Sequence, residues 1–266
     1  MTAPYYQDDL VTLFLGDYED ILPQLESVDA VICDPPYSEH THKNIRSAKM
    51  LANDRGGRYG ADTRRSVDLG FESLSEAGRE FLSEQFARLA KRWVLVFSDV
   101  ESDHLWRDSL TGHGLDYVRT GAWIKIGSTP QFSGDRPATG FEAITIAHPT
   151  GRKRWNGGGR HAVWSVPIVL NRSRKDPRWH TTQKPLALMA GLVELFTDPG
   201  EVVLDATAGS GTTGVAAKRL GRKAILIERD ETHCESAATR LEREVTLWAD
   251  EVDIGRTDAF DLGALA

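Results

Sequence analysis

A tetrapeptide early in the chain, Asp34-Pro35-Pro36-Tyr37, combines a carboxylate with a rigid turn and an aromatic ring. Proline has a fixed φ and no N–H group, so this turn is rich in hydrogen-bond acceptors. The Asp34 carboxylate and the Pro35 carbonyl can together accept both hydrogens of an NH₂ group. An aromatic amine held in this way becomes more pyramidal, and positioning and electrostatics then favour attack by its lone pair. Tyr37 offers a flat surface for an aromatic ring. Taken alone, the tetrapeptide also fits an ordinary Pro-Pro turn.

A second polar segment lies late in the chain, where Asp205 opens a glycine-rich turn that extends to Thr213. This turn follows an apolar strand pattern, and Glu228 ends the next strand pattern, which is the layout of a nucleotide-type site. The turn lacks the dinucleotide fingerprint, the P-loop sequence and any basic side chain for a phosphate. It therefore favours a ligand with an ammonium group and a ribose, whose hydroxyls Glu228 can bind. S-adenosylmethionine has this composition, whereas a purely structural turn is the alternative.

Alternating strand and helix patterns predict the elements that position these two segments. The alternation predicts an α/β fold with a mostly parallel sheet and helices on both faces. Both polar segments follow strands, so we expect them at the carboxyl edge of the sheet, where ligands bind in such folds. The predicted strands are 11–15, 29–33, 93–97, 117–126, 142–147, 201–205 and 223–228, and the predicted helices are 17–25, 74–92, 99–111, 186–196, 214–220 and 231–247.

Several motifs together resemble the β class of amino-group DNA methyltransferases, the family of N6-adenine and N4-cytosine enzymes. The order is the permuted one, with the catalytic tetrapeptide early and the cofactor turn late, and the resemblance extends from about Leu13 to about Leu241. It implies a Rossmann-like S-adenosylmethionine-dependent methyltransferase fold and methylation of a base that is rotated out of the DNA duplex. The motifs are Gly16-Asp17, Asp34-Pro35-Pro36-Tyr37, Trp123-Ile124-Lys125, His180-Thr181-Thr182-Gln183-Lys184-Pro185 and Asp205 to Thr213.

The resemblance also implies roles for individual residues. Asp17 would contact the cofactor adenine, Glu228 the ribose, and the segment through Lys184 would lead into a helix that closes over the methionine end. The implied catalytic residues are Asp34, Pro35, Pro36 and Tyr37. The residues expected at the cofactor are Asp17, Asp34, Lys184, Pro185, Asp205, Ala206, Thr207, Gly209, Ser210, Gly211, Thr212, Thr213, Glu228 and Arg229.

The charge of the chain is unevenly distributed. The formal net charge is -7, yet residues 149–179 carry eight Lys and Arg against one acid, and residues 43–65 carry seven against two. Basic segments on an acidic protein are typical of a polyanion-binding surface, although solvated loops are the alternative. We expect one domain over 1–266, with a basic substrate loop at 38–70 and a small target-recognition insertion at 149–179. The residues expected to contact double-stranded DNA are Lys43, Arg46, Arg152, Lys153, Arg154, Arg160, Arg172 and Arg174.

Three alternatives to adenine-N6 methylation remain. An aspartate in the first position of the tetrapeptide is more frequent among adenine enzymes, so adenine N6 is predicted and cytosine N4 is the first alternative. Methylation of RNA or of a protein glutamine is disfavoured, because related enzymes of that kind tend to carry Asn-Pro-Pro-Tyr with the cofactor turn upstream. A non-catalytic nucleotide-binding module is the alternative from a different class.

Composition excludes several other classes. The two cysteines, Cys33 and Cys234, have no C-x-x-C spacing, so neither a zinc site nor a disulfide framework is predicted, and no metal is expected. No apolar run approaches the roughly 18 residues needed to cross a membrane, and the N-terminus lacks a signal-peptide pattern. We expect a cytoplasmic protein of prokaryotic or phage origin, acting in restriction-modification, as a monomer or homodimer that binds DNA and no membrane.

Overall fold

The computed structural model describes residues 2–37, 73–128, 135–169 and 183–244. Strands within these ranges join in one sheet, and helices connect them. The strands are β1 (Tyr6–Gln7), β2 (Val11–Leu15), β3 (Val28–Cys33), β4 (Ala90–Ser98), β5 (Leu115–Ile126), β6 (Phe141–Pro149), β7 (Val163–Pro167), β8 (Val202–Asp205) and β9 (Lys223–Glu228). The helices are α1 (Tyr18–Ile21), which continues as a 3₁₀ turn (Leu22–Gln24), α2 (Glu76–Leu89), α3 (Asp103–Gly112), α4 (Leu186–Phe196), α5 (Thr212–Arg219) and α6 (Glu231–Arg243).

The sheet has the strand order β1-β2-β9-β8-β3-β4-β6-β5-β7. Strands β2, β9, β8, β3 and β4 run parallel to one another, β6 runs antiparallel to both of its neighbours, and β7 is parallel to β5. The predicted α/β class with a mostly parallel sheet is therefore confirmed.

Apolar cores cover both faces of this sheet. Along β4, Leu95 packs on the face that also holds α4, α5 and α6, and Val94 packs on the face that holds α1, α2 and α3. Both side chains are fully buried. Strands buried on both faces have continuous apolar sequences rather than alternating ones, which explains why β3 and β4 were recognisable without a period-two pattern.

The chain changes direction across the sheet at the boundary between β3 and β8. From β3 it proceeds to β4 on one side, and from β8 it proceeds to β9 on the other, while Val31 pairs in parallel with Leu204. Ligands of open α/β sheets bind at such a switch point, outside the carboxyl ends of the strands. The turns that follow β3 and β8 both lie there.

The structure differs from the sequence prediction at several places. The helix predicted over 99–111 begins at Asp103, and the helix predicted over 231–247 ends at Arg243. The helix predicted over 74–92 ends at Leu89, because the following residues extend β4 and Ala90 pairs with Val28 of β3. Strands β1 and β7 were not predicted; β1 has two residues, and β7 lies in a segment that had been interpreted by its charge. In the parts of the chain that the structure describes, no helix is long and apolar enough to cross a membrane.

Candidate active site

The catalytic turn begins where β3 ends, directly beside the turn that follows β8. Cys33 is buried, and its Sγ lies 3.2 Å from Oγ1 of Thr207 in the glycine-rich turn. The parallel pairing of β3 with β8 explains this contact, because it brings the ends of both strands to one level. The structure thus brings the tetrapeptide and the glycine-rich turn together in one site, as the sequence predicted.

The Asp34 carboxylate has one oxygen in an ion pair and one without a partner. Its Oδ2 accepts a hydrogen bond from Nζ of Lys184 at 2.6 Å. Its Oδ1 is shielded from solvent and has no hydrogen-bond partner among the described residues. Burial raises the pKa of Asp34, and the adjacent Lys184 ammonium opposes that rise. A buried acceptor without a donor is costly, so Oδ1 marks the place where a donor from a ligand can bind.

Lys184 lies two residues before α4 and only 8% of its side chain is exposed. Besides Asp34, its Nζ contacts the Tyr37 hydroxyl at 3.3 Å and Oε2 of Glu142 at 3.1 Å. Burial disfavours the ammonium, but the two carboxylates outweigh this and raise the pKa of Lys184, which is therefore charged. These contacts direct Lys184 to the catalytic turn beside Asp34, while its segment leads into α4 as predicted from the motif.

Glu142 at the start of β6 is a site residue that the sequence analysis missed. Its side chain is 10% exposed, and its Oε1 lies 2.5 Å from Nζ of Lys125 at the end of β5. Burial opposes its charge, but Lys184 and Lys125 outweigh burial and lower the pKa of Glu142 to about 2. Glu142 pairs across the sheet with Trp123, whose motif was recognised. An acid that opens an otherwise apolar strand was the only signal in the sequence.

Three aromatic rings surround the Lys184 ammonium. Its Nζ lies 5.0 Å from the ring centroid of Phe97, 5.5 Å from that of Tyr37 and 5.8 Å from that of Trp123. Rings at this distance stabilise a cation through their quadrupoles. The same rings are flat apolar surfaces, so they suit a planar base equally well.

Asp205 at the end of β8 organises the glycine-rich turn. Its Oδ1 accepts the backbone N–H of Thr207 at 3.1 Å, and its Oδ2 accepts the hydroxyl of Thr213 in α5. Because the carboxyl group is buried, its pKa is raised to about 7 despite these hydrogen bonds. The other predicted cofactor residues of this turn, Ala206, Ser210 and Thr212, are buried around it.

Gly209 leaves open space at this turn. Its φ is +52°, and a Cβ placed on it would meet no atom within 4 Å among the described residues. Gly211 is different, because a Cβ there would lie 2.9 Å from Cβ of Ala237 in α6. The first glycine therefore permits the left-handed backbone of the turn and leaves space beside it, whereas the second permits close packing of α6.

Glu228 faces the glycine-rich turn from the end of β9. Its Oε2 accepts the N–H of Gly209 at 2.7 Å, and its Oε1 accepts that of Asp230 at 2.9 Å. Burial opposes its charge, yet His233 and these N–H groups hold its pKa below the ordinary value. Glu228 is therefore an anion beside the open space at Gly209. The neighbouring Arg229 is exposed.

Arg240 of α6 supports the turn from behind and was also missed by the sequence analysis. Its Nη1 donates to the carbonyl of Ser210 at 2.6 Å and to the hydroxyls of Ser210 and Thr212 at 3.0 Å. The side chain is buried against the glycine-rich turn. Its position near the end of the last helix gave no indication of this role.

Asp17 and Pro185 complete the carboxyl edge. Asp17 follows β2 and caps α1 by accepting the N–H of Glu19 at 2.9 Å. The preceding Gly16 donates to the backbone carbonyl of Glu228 at 2.9 Å, which places Asp17 beside the end of β9. Pro185 is the N-cap residue of α4 and is buried.

The first residues of the basic segment lie at the amino edge of the sheet, opposite the catalytic turn, whereas β7 later in the segment reaches the carboxyl edge. Lys153 pairs with Asp116 at the start of β5, and Arg154 pairs with Asp198 after the end of α4. The carbonyl of Arg154 also accepts a hydrogen bond from Nε1–H of Trp93. Trp93 lies near the start of β4, so about 13 Å of that strand separates it from the catalytic edge. The structure therefore does not bring Lys153 and Arg154 to the catalytic turn.

Neighbouring residues of this segment are anchors. Asn156 donates to the carbonyls of Glu194 and Thr197 around the end of α4, and the Trp155 ring lies 4.8 Å from that of Phe196. Arg152 and Arg160 are exposed within the same segment. The contacts explain these residues as packing of a connection onto α4. The remaining predicted DNA contacts, Lys43, Arg46, Arg172 and Arg174, lie outside the described residues.

Comparison with known proteins agrees with this site. Residues 28–239 match the N6/N4 methyltransferase family, described as DNA methylase. This match covers most of the chain, including both turns of the site. The chain therefore belongs to the N6/N4 DNA methylase family.

Individual relatives are of the same kind. The chain is 28% identical to the type II methyltransferase M2.DpnII of Streptococcus pneumoniae, over 92% of this chain and 94% of that protein. It is also 28% identical to the type II methyltransferase M.HinfI of Haemophilus influenzae, over 90% of this chain and 70% of that protein.

Solved structures share the fold. The M1.HpyAVI–SAM complex superposes with a TM-score of 0.64 at 24% identity, covering 87% of this chain and 99% of that one. The cytosine-N4-specific PvuII DNA methyltransferase gives a TM-score of 0.67 at 14% identity, covering 89% of this chain and 88% of that one. The predicted Rossmann-like methyltransferase fold is thus confirmed.

Proposed function

We propose that this protein transfers a methyl group from S-adenosylmethionine to the exocyclic amino group of a base in double-stranded DNA, with adenine N6 as the preferred target. The observation that carries the proposal is the buried Oδ1 of Asp34, which has no donor among the described residues and lies at a turn in contact with Thr207 of the glycine-rich turn. An acceptor so placed, next to a nucleotide-type site, suits an amine that reacts with the bound cofactor.

The residues of the glycine-rich turn fit S-adenosylmethionine. The open space at Gly209 lies between Asp205 and Glu228, so carboxylates are available for an ammonium group and for ribose hydroxyls. No Lys or Arg occurs between 205 and 213, which agrees with a ligand that has no phosphate. Asp17 would contact the adenine at the end of β2. When bound, the cofactor supplies an electrophilic sulfonium methyl group.

Asp34 is the residue that prepares the target amine. Its ionised carboxylate is a stronger acceptor of an N–H bond than the neutral acid, and Lys184 at 2.6 Å favours the ionised form against the effect of burial. With the Pro35 carbonyl as the second acceptor, both N–H bonds of the amine would be held and its lone pair directed at the methyl group. Tyr37 would stack on the base. This mechanism requires no covalent intermediate with the protein.

Two features support DNA and adenine as the target. The family is one of DNA methylases, and an aspartate in the first position of the tetrapeptide is the form more frequent among its adenine enzymes. Cytosine N4 is the second candidate, because a cytosine-N4-specific enzyme has the same fold. The amine lies inside a duplex stack, so the nucleotide must be rotated outward to reach Asp34.

The two basic stretches are the proposed DNA-recognition regions. The chain enters the first stretch after Tyr37, at the carboxyl end of β3, and β7 within the second stretch ends opposite Ile126 at the same edge. Within the second stretch, the ion pairs of Lys153 and Arg154 at the amino edge disfavour these two residues as DNA contacts. The proposed target-recognition region remains the segment 149–179.

The test measures transfer of a labelled methyl group from S-adenosylmethionine to unmethylated genomic DNA. We expect transfer by the wild-type protein and none by Asp34→Ala, while calorimetry shows that Asp34→Ala still binds the cofactor. Asp116→Ala at the amino edge is the matched control and should retain activity. Cofactor binding without transfer to DNA would favour the non-catalytic module, and transfer to RNA alone would contradict the proposed substrate.

A further inference from the structure

Glu142 has no place in the chemistry derived so far, although it lies inside the site. Its carboxylate contacts two ammonium groups, Lys125 at 2.5 Å through Oε1 and Lys184 at 3.1 Å through Oε2. Oε2 of Glu142 is buried in an ion pair with Lys184 that is longer than the Lys184–Asp34 hydrogen bond, and the Tyr37 hydroxyl also donates to the Glu142 carboxylate.

The four charged groups form one neutral chain through the site. Lys125, Glu142, Lys184 and Asp34 alternate in sign, and Lys184 stands between two carboxylates. It donates to Asp34 at 2.6 Å, while the second carboxylate lies 3.1 Å away. A small rotation of the lysine side chain is therefore enough to exchange one acceptor for the other.

The Lys184 ammonium also lies among the aromatic rings that would receive a planar base. It lies between 5.0 and 5.8 Å from the ring centroids of Phe97, Tyr37 and Trp123, the aromatic surfaces beside Asp34. Oδ1 of Asp34 is shielded from solvent, so a ligand can reach it only when a neighbouring group moves. Lys184 is the neighbour that contacts both Asp34 and Tyr37.

We propose that Glu142 is a positioning residue, the second carboxylate that holds Lys184 when a target amine binds Oδ1 of Asp34. This inference rests on the proposed function for the identity of the incoming group. Moving a buried ammonium away from its carboxylate is costly unless a second carboxylate is in reach. Glu142 supplies that second carboxylate, and Lys125 holds it in place on the next strand.

The first test uses stability and needs no substrate. If Lys184 has two interchangeable acceptors, Asp34→Asn and Glu142→Gln each leave it one carboxylate, and only the double variant leaves it none. We therefore expect the fall in melting temperature of the double variant to exceed the sum of the two single falls, and this excess to vanish in a Lys184→Met background. Additive falls would overturn the proposal.

The second test uses catalysis. Glu142→Gln should lower kcat/KM for DNA by about tenfold or more, because Lys184 then stays on Asp34, while the cofactor dissociation constant stays within about twofold. The acid limb of the rate profile should also move to lower pH, since Glu142 no longer raises the pKa of Asp34. The charged groups that face Asp34 in this profile are Lys184, Glu142, Lys125 and Asp205.

Two further variants make the outcomes unambiguous. Glu142→Asp keeps the charge beside Lys125 and should recover part of the lost kcat/KM. Glu201→Gln, which removes a partner of Arg92 at the amino edge, controls for the loss of a paired carboxylate and should leave kcat/KM unchanged. If the wild-type protein is active and Glu142→Gln has the same kcat/KM, the inference about Glu142 is refuted while the proposed function stands. Absence of methyl transfer by the wild-type protein, with the stability coupling present, would refute only the proposed substrate.

Discussion

Affinity for S-adenosylmethionine is expected to fall steeply below neutral pH, because the carboxyl group of Asp205 titrates there. Burial raises its pKa to about 7. Only the carboxylate form attracts the ammonium of the methionine end, so the binding form is present above this pKa and is lost as the pH falls through it. For one group of pKa about 7, the ionised fraction is about three quarters at pH ~7.5 and about 3% at pH ~5.5.

The size of the effect follows from that ratio. If binding requires the carboxylate, the dissociation constant should rise about 25-fold between pH ~7.5 and pH ~5.5, equivalent to about 2 kcal/mol. Isothermal titration calorimetry with S-adenosylmethionine at several pH values measures this directly. Asp205→Asn should bind weakly and with little pH dependence over the same range.

Two controls isolate Asp205 from other groups. His233 is a second titratable group beside Glu228, and its hydrogen bond to Glu228 raises its pKa. The analogue 5′-methylthioadenosine has the ribose but no amino-acid end, so any contribution of His233 should persist with it while the Asp205 effect disappears. Asp116→Asn should behave as the wild type. Affinity that is independent of pH, or equal pH dependence for the cofactor and the analogue, would refute this account of Asp205.

Three other substitutions test separate parts of the site. Lys184→Met should move the acid limb of the kcat/KM profile for DNA to higher pH by roughly 1–3 units, because the cation that opposes the raised pKa of Asp34 is lost; an unmoved limb would contradict this role. Gly209→Ala should cost about 1–2 kcal/mol of stability from its positive φ and should weaken cofactor binding by about tenfold or more; intact affinity in calorimetry would mean that the cofactor lies elsewhere. Combined Lys153→Ala and Arg154→Ala should leave DNA affinity and its salt dependence unchanged, and a smaller salt slope would contradict their place at the amino edge.

The sequence predicted the two turns of the site because each depends on local pattern. An apolar strand followed by Asp34, and another followed by Asp205, determine which edge each turn occupies, and parallel pairing of the two strands then brings them together. Lys184 was recognised by its motif, but its partner was not, since side-chain direction depends on the packing of α4.

Glu142 and the basic segment show why the remainder could not be predicted. Glu142 becomes a site residue only because β6 runs antiparallel and so begins at the catalytic edge. Lys153 and Arg154 have the composition of a DNA contact, but β6 ends at the amino edge and the chain returns along β7 only after them. Strand direction therefore decides both cases, and neither charge nor local periodicity reports it.

The most direct test of the central claim is the chemical identity of the product. Unmethylated DNA is incubated with the protein and isotopically labelled S-adenosylmethionine, digested to nucleosides and analysed by mass spectrometry, with Asp34→Ala as the control. We predict labelled N6-methyladenine with the wild-type protein and none with the variant. Labelled N4-methylcytosine alone would replace adenine by cytosine as the target. Absence of any labelled nucleoside, with cofactor binding intact, would contradict the assignment of Asp34 to amine methylation.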